Sequence, residues 1–414
     1  MQVAWWLAAL LPLLLAAPAS ALSVSFTKIA DASSHPAWTG PVAFSIPAVD
    51  DGEVVFFAES GSPFLAGIYT GSGGALTTVV DSNTLIPGST QPFDLVGFWG
   101  APTISQGNVA FLVNEGGFAS VFASLDGNLT RIAADDGSGN LSIDYMRSPM
   151  IDGHNVAFRA WNGEGWGVFT SVAGVLETSA DQATANPNGA GKISVDSEFA
   201  LEGTSVAYLG GTESGNGIFV ANAGIARVVA DDATAVPGGV GAFTGFLPAV
   251  SFDDGNIAIE GGSTLSLDPL ALLYGIYAEI DGVLVRIADT ETLIPGSAET
   301  FDGFTSLDHG LSISGESVAF SGGGGASFTR GLYVYRDGEI HKLIETGDNL
   351  DGKVVDGIDF GSEGYSGDQI AFLASFDDGT SGVYLASIPE PGTALLLAAG
   401  LLALGANRRA ARIR

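Results

Sequence analysis

A turn glycine followed by a short apolar strand recurs seven times in this chain, and no other feature narrows its fold as far. The turn glycines are Gly52, Gly107, Gly153, Gly203, Gly255, Gly315 and Gly367, and the strands they open read Val54-Val55-Phe56, Val109-Ala110-Phe111, Val156-Ala157-Phe158 and so on to Ile370-Ala371-Phe372. Successive glycines stand 55, 46, 50, 52, 60 and 52 residues apart. A period near 50 falls in the range of propeller blades and related arrays. Each strand is followed by a second one that ends in an aromatic, at Tyr69, Phe122, Phe169, Phe219, Tyr277, Tyr333 and Tyr384. A short strand also precedes the turn, as in Pro102-Thr103-Ile104-Ser105, Pro149-Met150-Ile151-Asp152 and Pro248-Ala249-Val250-Ser251.

The fourth strand of the unit follows an Asp-Gly turn, clearest in Asp126-Gly127-Asn128-Leu129-Thr130-Arg131-Ile132-Ala133 and Asp281-Gly282-Val283-Leu284-Val285-Arg286-Ile287-Ala288. Asp-Gly supplies the positive-φ pair that a two-residue hairpin needs. Only six units carry this strand, because the seventh ends at Ala386 and runs into Ile388-Pro389-Glu390-Pro391. The missing copy stands at the other end of the chain: Phe26-Thr27-Lys28-Ile29-Ala30 has the same basic residue before Ile-Ala, and Asp31 after it. The expectation is an all-β, seven-bladed β-propeller of four-stranded antiparallel blades, closed by the N-terminal strand. An apolar helix is expected at each extreme terminus. The alternatives are a β-solenoid or a pair of sandwiches, but ring closure removes the end sheets that an open array must cap.

Composition agrees with a packed β body. The chain is 46% hydrophobic with a mean hydropathy of +0.33, which argues against disorder, and Gly plus Pro make 76 of 414 residues, too few for low complexity. The net charge is −31, and four of the fifteen basic residues lie in the last seven positions, so the body between the termini is strongly acidic. Such a surface repels phosphate backbones and anionic lipid, which excludes nucleic acid as a partner. With no cysteine, disulfides and thiolate chemistry are excluded too.

The N-terminus reads as a signal peptide. An apolar run over residues 4–15 is followed by Ala19-Ser20-Ala21, the small-x-small pattern at which such peptides are cleaved, with Ala19 and Ala21 as the flanking residues. The domains expected are therefore residues 1–21, a seven-unit body over 22–387, and a C-terminal segment over 388–414.

Loops between units carry an Asp-x-x-Thr and Pro-Gly signature followed by aromatics. Trp38, Phe98, Trp99, Phe246 and Phe304 are the candidate ligand-stacking rings, for which an extracellular polysaccharide is the natural partner. Recurrence in three loops favours packing between blades instead, since a dedicated site more often breaks the symmetry. Asp135-Asp136, Asp231-Asp232, Asp253-Asp254 and Asp377-Asp378 offer oxygen ligands, but none sits in the Asp-x-Asp-x-Asp-Gly loop with its distal Glu. They read as solvated turn acids: no cofactor and no metal is expected, with calcium as the alternative. His35, His154, His309 and His341 are scattered without metal or triad spacing, and no catalytic residue is assigned.

At the C-terminus, Pro389-Glu390-Pro391 precedes an apolar run over residues 394–406 and a basic tail of Arg408, Arg409, Arg412 and Arg414. The run is short for a stable span of roughly 20 residues, and the arginines hold the tail on the cytoplasmic side. These three parts in this order resemble the PEP-CTERM sorting signal of Gram-negative bacteria. The resemblance implies transient anchoring in the inner membrane through the C-terminal helix, processing near Pro389 by an exosortase-type membrane protease, and delivery to the cell surface or extracellular matrix. The body resembles the uncharacterised secreted repeat proteins that carry this signal, which implies no activity. The reading is a non-enzymatic surface or matrix protein associated with biofilm or floc. The alternative is a secreted carbohydrate-active hydrolase or lyase with its site at the propeller mouth; the longest interruption, residues 261–274 with Asp268-Pro269, reads as an extended hairpin loop.

Overall fold

The computed structural model describes residues 23–388, apart from the short segments 62–63, 96–99, 136–140, 145–147, 190, 196–197, 214, 265–271, 305–309 and 326–328. The signal peptide, Pro389-Glu390-Pro391, the two apolar helices expected at the termini and the arginine tail lie outside the described residues. All described secondary structure is β-strand. It forms seven antiparallel sheets, one for each repeat. The chain enters each sheet on a short inner strand such as Ala48–Asp50, Met150–Asp152 or Leu311–Ser314, crosses two long strands, and leaves on an outer one such as Val175–Ala180 or Val283–Asp289.

The seventh sheet takes its outer strand from the other end of the body. Ser25–Asp31 pairs antiparallel with Ser381–Ser387, from Ser25 opposite Ser387 to Asp31 opposite Gly382. Its register reproduces a detail shared by the other six outer strands. In each of those, one residue bulges out between the partner of the buried aromatic and the partner of its predecessor: Val79 between Thr78 and Val80 in the first blade, Ile287 between Arg286 and Ala288 in the fifth. The same shift occurs in the remaining four. Lys28 faces Tyr384 and Ala30 faces Val383, so Ile29 bulges at the equivalent point. A bulge re-aims the strand and its side chains, so sharing one places Ile29 as the other copies are placed.

The core lies between blades. Two long strands per sheet bury both faces, which is why they read as unbroken apolar runs; Val54, Val55 and Phe56 have no exposed surface. One cluster joins Ala30, Ile29, Val383 and Leu385 of the seventh blade to Val54, Phe56 and Tyr69 of the first. Others span the first and second, second and third, third and fourth, fourth and fifth, and fifth and sixth blades. The Gly-x-aromatic pattern has a steric cause. The aromatic ring folds back over the glycine two residues earlier, so a Cβ at Gly67 would sit 2.7 Å from Tyr69 and one at Gly331 would sit 2.7 Å from the Tyr333 phenol.

Three sheets gain a short fifth strand, Val42–Phe44, Ser142–Ile143 or Gly303–Phe304, and two further departures from the plain repeat appear among the described residues. An additional hairpin, Asn349–Leu350 with Lys353–Asp359, joins the seventh sheet alongside Gln369–Phe376. Lys28 reaches that hairpin through an ion pair with Asp351 at 2.9 Å. The long fifth unit forms an extended hairpin, Asn256–Thr264 with Leu272–Ile280, whose tip is outside the described residues.

If the N-terminal strand is a true member of the seventh blade, its buried and exposed residues will respond differently. Ile29→Ala, at a 3% exposed side chain, should cost about 2–4 kcal/mol of unfolding free energy in a urea titration. Lys28→Ala, which breaks a solvent-exposed pair, should cost less than about 1 kcal/mol. Equal, small effects would mean that the strand is not packed in the ring.

Candidate functional site

The last residue of each inner strand stands one or two positions before the hairpin turn, and in all seven blades it carries a side-chain oxygen: Asp50, Ser105, Asp152, Glu202, Asp253, Ser314 and Ser366. Each accepts a hydrogen bond from a backbone amide in the turn of the next blade. Asp50 accepts from Gln106 at 2.5 Å, Ser105 from Gly153 at 3.0 Å, Asp152 from Gly203 at 2.6 Å, and Glu202 from Gly255 at 2.9 Å. Asp253 accepts from Gly315 at 2.8 Å, Ser314 from Gly367 at 2.8 Å, and Ser366 from Asp51 at 3.4 Å, which closes the circle. A second set runs alongside: the Asn108, Asn155 and Asn256 amides donate to the carbonyls of Gly153, Gly203 and Gly315. Turn amides that the sheets leave unpaired are thereby satisfied across the blade boundary.

These oxygens line an axial cavity of about 510 Å³, and no Lys, Arg or His lines it. A segment ahead of the seventh inner strand reaches across it. The hydroxyls of Ser251 in the fifth blade and Ser312 in the sixth donate to the Ser362 carbonyl at 3.1 and 2.7 Å, and the Val49 amide of the first blade donates to the Glu363 carbonyl at 2.9 Å. Glu363 lines the cavity and is half-buried. Burial, reinforced by the charges of Asp253, Asp152 and Asp50, pushes its carboxyl up to about 8. Glu202 is also raised, first by burial and against the Gly255 amide bond, with Asp253, Asp152 and Asp254 adding repulsion. The arrangement can hold a proton on Glu363 at neutral pH among the acidic side chains of Asp50, Asp152 and Asp253, and it favours cationic over anionic visitors. Among the described residues, no three His, Cys, Asp or Glu side chains converge to hold a metal ion.

The inter-blade loops fold back as packing predicts. Trp38 meets Tyr69 at 5.2 Å and 88°, Phe93 meets Phe122 at 5.1 Å and 85°, Phe243 meets Tyr277 at 5.0 Å and 85°, and Phe301 meets Tyr333 at 5.0 Å and 87°. Four loops thus insert an edge-to-face ring against the next blade's aromatic. Of the candidate ligand-stacking rings, Trp38 and Phe246 are 5% and 6% exposed and pack on Tyr69 and Phe243 respectively. Phe304 is half-buried against Phe301 and Phe320 and keeps surface at a recess of about 220 Å³. Phe98 and Trp99 lie outside the described residues.

The Asp-x-x-Thr signature is a local turn. Asp81 accepts from the Thr84 hydroxyl at 2.8 Å and the Asn83 amide at 3.0 Å, and Asp231 and Asp289 repeat the pattern. Of the paired acids, Asp231 anchors that turn, Asp253 belongs to the axial ring, Asp135 accepts from Ser142, and Asp378 pairs with Lys353 at 3.0 Å. The histidines do not converge: His35 rests against Trp38 and Tyr69, His154 pairs with Asp126 at 3.0 Å, His341 lies on an outer strand, and His309 is outside the described residues. The axial oxygens went unassigned in the sequence, although an oxygen-bearing residue precedes every turn. Glu363 has no repeat signal at all, because its segment occurs once.

The fold and the terminal signal together define an exported β-propeller of the bacterial cell envelope. The chain belongs to the Family of unknown function (DUF7453), whose model matches residues 32–395. The PEP-CTERM protein-sorting motif matches residues 387–409, which include Pro389, Glu390, Pro391, Arg408 and Arg409. That motif implies export, sorting to the envelope and processing by exosortase, a membrane protease. No curated protein matches the chain. Among solved structures, it is similar to the β-propeller domain of the Trilobed protease from Pyrococcus furiosus, with 11% identity, a TM-score of 0.49, and coverage of 84% of this chain and 95% of that one. It is also similar to a Pyrococcus horikoshii acylaminoacyl peptidase, with 12% identity, a TM-score of 0.47, and coverage of 87% and 54%. A Penicillium chrysogenum alpha-L-arabinanase is similar at 11% identity and a TM-score of 0.34, with coverage of 87% and 98%.

The axial carboxyl makes stability pH-dependent with a definite sign. Glu363 and the buried Glu260, raised by burial alone, both move from 4.5 to about 8, so folding takes up protons between those values. Their contribution is complete below the lower value, falls as pH rises at up to about 1.4 kcal/mol per pH unit per group, and levels off above the upper one. Glu363→Gln should remove one group's share of that fall, measured by urea unfolding from pH 5 to 8. An unchanged slope would contradict the enclosed site.

Proposed function

We propose that the protein is a non-enzymatic component of the cell surface or extracellular matrix, in which the body over residues 22–387 holds polysaccharide. In this reading residues 1–21 are removed on export, and residues 388–414 are a temporary stop in the inner membrane. The carrying observation is the axial ring. Its seven oxygen-bearing side chains are engaged in joining blade to blade. A rigid closed scaffold suits display and retention.

A second reading has one observation in its favour. Glu363, held neutral beside Asp50, Asp152 and Asp253, resembles the acid and carboxylate pairing of glycoside hydrolysis at the propeller mouth. It requires release of sugar products from the producer's own polysaccharide, lost in Glu363→Gln. Absence of such release by the wild-type protein removes it.

Two measurements test the main reading. Mass spectrometry of the exported protein should find a C-terminus near Pro389-Glu390-Pro391; a mature chain still ending at Arg414 contradicts processing. Removing the protein from the producing cells should lower cell aggregation, and the exported protein should extract with the polysaccharide. Unchanged aggregation, with the protein wholly in the culture fluid, contradicts the matrix role.

A further inference from the structure

The fifth and sixth blades build the same local arrangement and finish it differently. In the fifth, Gly245 and Phe246 pair with Gly262 and Gly261, and Tyr274 stands opposite Gly262 on the other side. Phe246 is buried there. In the sixth, Gly303 and Phe304 pair with Gly323 and Gly322, and the residue opposite Gly323 is Arg330. Phe304 keeps surface, and a recess of about 220 Å³ opens between it and Arg330, floored by Gly322, Gly323 and Gly324 and edged by Asp302 and Thr329. Side chains are excluded from that floor: a Cβ at Gly323 would lie 2.3 Å from the Thr329 carbonyl oxygen, and one at Gly324 2.4 Å from that of Thr300.

Arg330 is unusual in a chain of net charge −31. Eight of the ten lysines and arginines among the described residues form ion pairs with carboxylates. Arg330 is exposed and forms none, although the Asp302 carboxylate lines the same recess. A guanidinium left open beside a half-exposed ring, over a flat backbone floor, has the parts for one acidic sugar. The ring offers its face to the sugar's C–H surface, the planar fork takes a carboxylate through two parallel N–H bonds, and Asp302 and Thr329 accept from or donate to hydroxyls.

We infer that the recess between Phe304 and Arg330 is a binding subsite for one uronate residue of a polysaccharide, whose carboxylate is drawn locally to an open guanidinium although the body as a whole is acidic and repels anionic polymers. This rests on the polysaccharide-holding reading above and names the sugar chemistry that it would involve. The subsite occurs once in the described ring, because in the fifth blade Phe246 is buried and Tyr274 stands at the register position of Arg330.

The test uses the exported body bearing wild-type sequence, Arg330→Gln or Phe304→Leu, with galacturonate and mannuronate oligomers and their carboxyl-reduced, uncharged counterparts as probes in calorimetry. Wild type should bind at least one charged series, and Arg330→Gln should weaken that binding at least tenfold while leaving any affinity for the reduced oligomers unchanged. Phe304→Leu keeps the apolar packing on Phe301 and Phe320 but removes the ring, and should weaken both series. Circular dichroism melting identifies a variant that fails to fold, and because Arg330 is exposed its variant carries the decision. Equal binding by wild type and Arg330→Gln, or no binding of either charged series by wild type, overturns the inference. Matrix retention measured on the same variants separates the two levels: retention unaffected by Arg330→Gln overturns the subsite alone, whereas a wild-type protein that is not retained overturns the wider reading.

Discussion

The pairing of Ser25–Asp31 with Ser381–Ser387 is the interaction on which the rest of the body depends. Each sheet buries its two faces only against neighbours, so an open row of seven would leave two apolar end faces in water. The seam between the seventh and first blades is fastened at three radii. At the outside, the N-terminal strand completes the sheet and Lys28 reaches the added hairpin. In the middle, Ile29 and Ala30 enter one cluster with Val54, Phe56 and Tyr69. At the axis, Ser366 accepts from the Asp51 amide and donates to Asp50, and the Val49 amide donates to Glu363. Chain ends joined within one sheet convert seven locally similar units into a structure that has to open as a whole.

The repeat was legible because its causes are local. Positive-φ turns such as Asp126-Gly127 and Asp281-Gly282 announce hairpins, and Gly-x-aromatic announces a ring folded over a glycine. Counting these units exposed the gap that Phe26 to Ala30 fills. Loop aromatics were legible as packing for the same reason: Phe93, Phe243 and Phe301 recur at one spacing and land in one geometry. Trp38 was harder, since it serves that role at the seam without the Pro-Gly signature.

What the sequence withheld depends on registration between blades. Asp50, Asp152, Glu202 and Asp253 look like ordinary turn acids until their partners in the next turn are known. Glu363 acquires its neighbours only because residues 361–364 cross to the first, fifth and sixth blades. Arg330 gains meaning from the comparison with Tyr274, a cross-blade equivalence fixed by strand register rather than by sequence spacing. An acidic surface, a carboxylate-lined axis and, among the described residues, one open guanidinium recess together describe a ring that is structurally uniform and chemically uneven.

Hydrogen exchange measures closure most directly, because it reads the opening of each outer strand separately in the intact protein. Amides of residues 26–30 should be protected to the same degree as those of residues 283–288 and 340–344, since all three outer strands share the bulge and the burial of the following apolar pair. Exchange at residues 26–30 as fast as that of an unpaired chain end, with the other outer strands still protected, would contradict the closed ring.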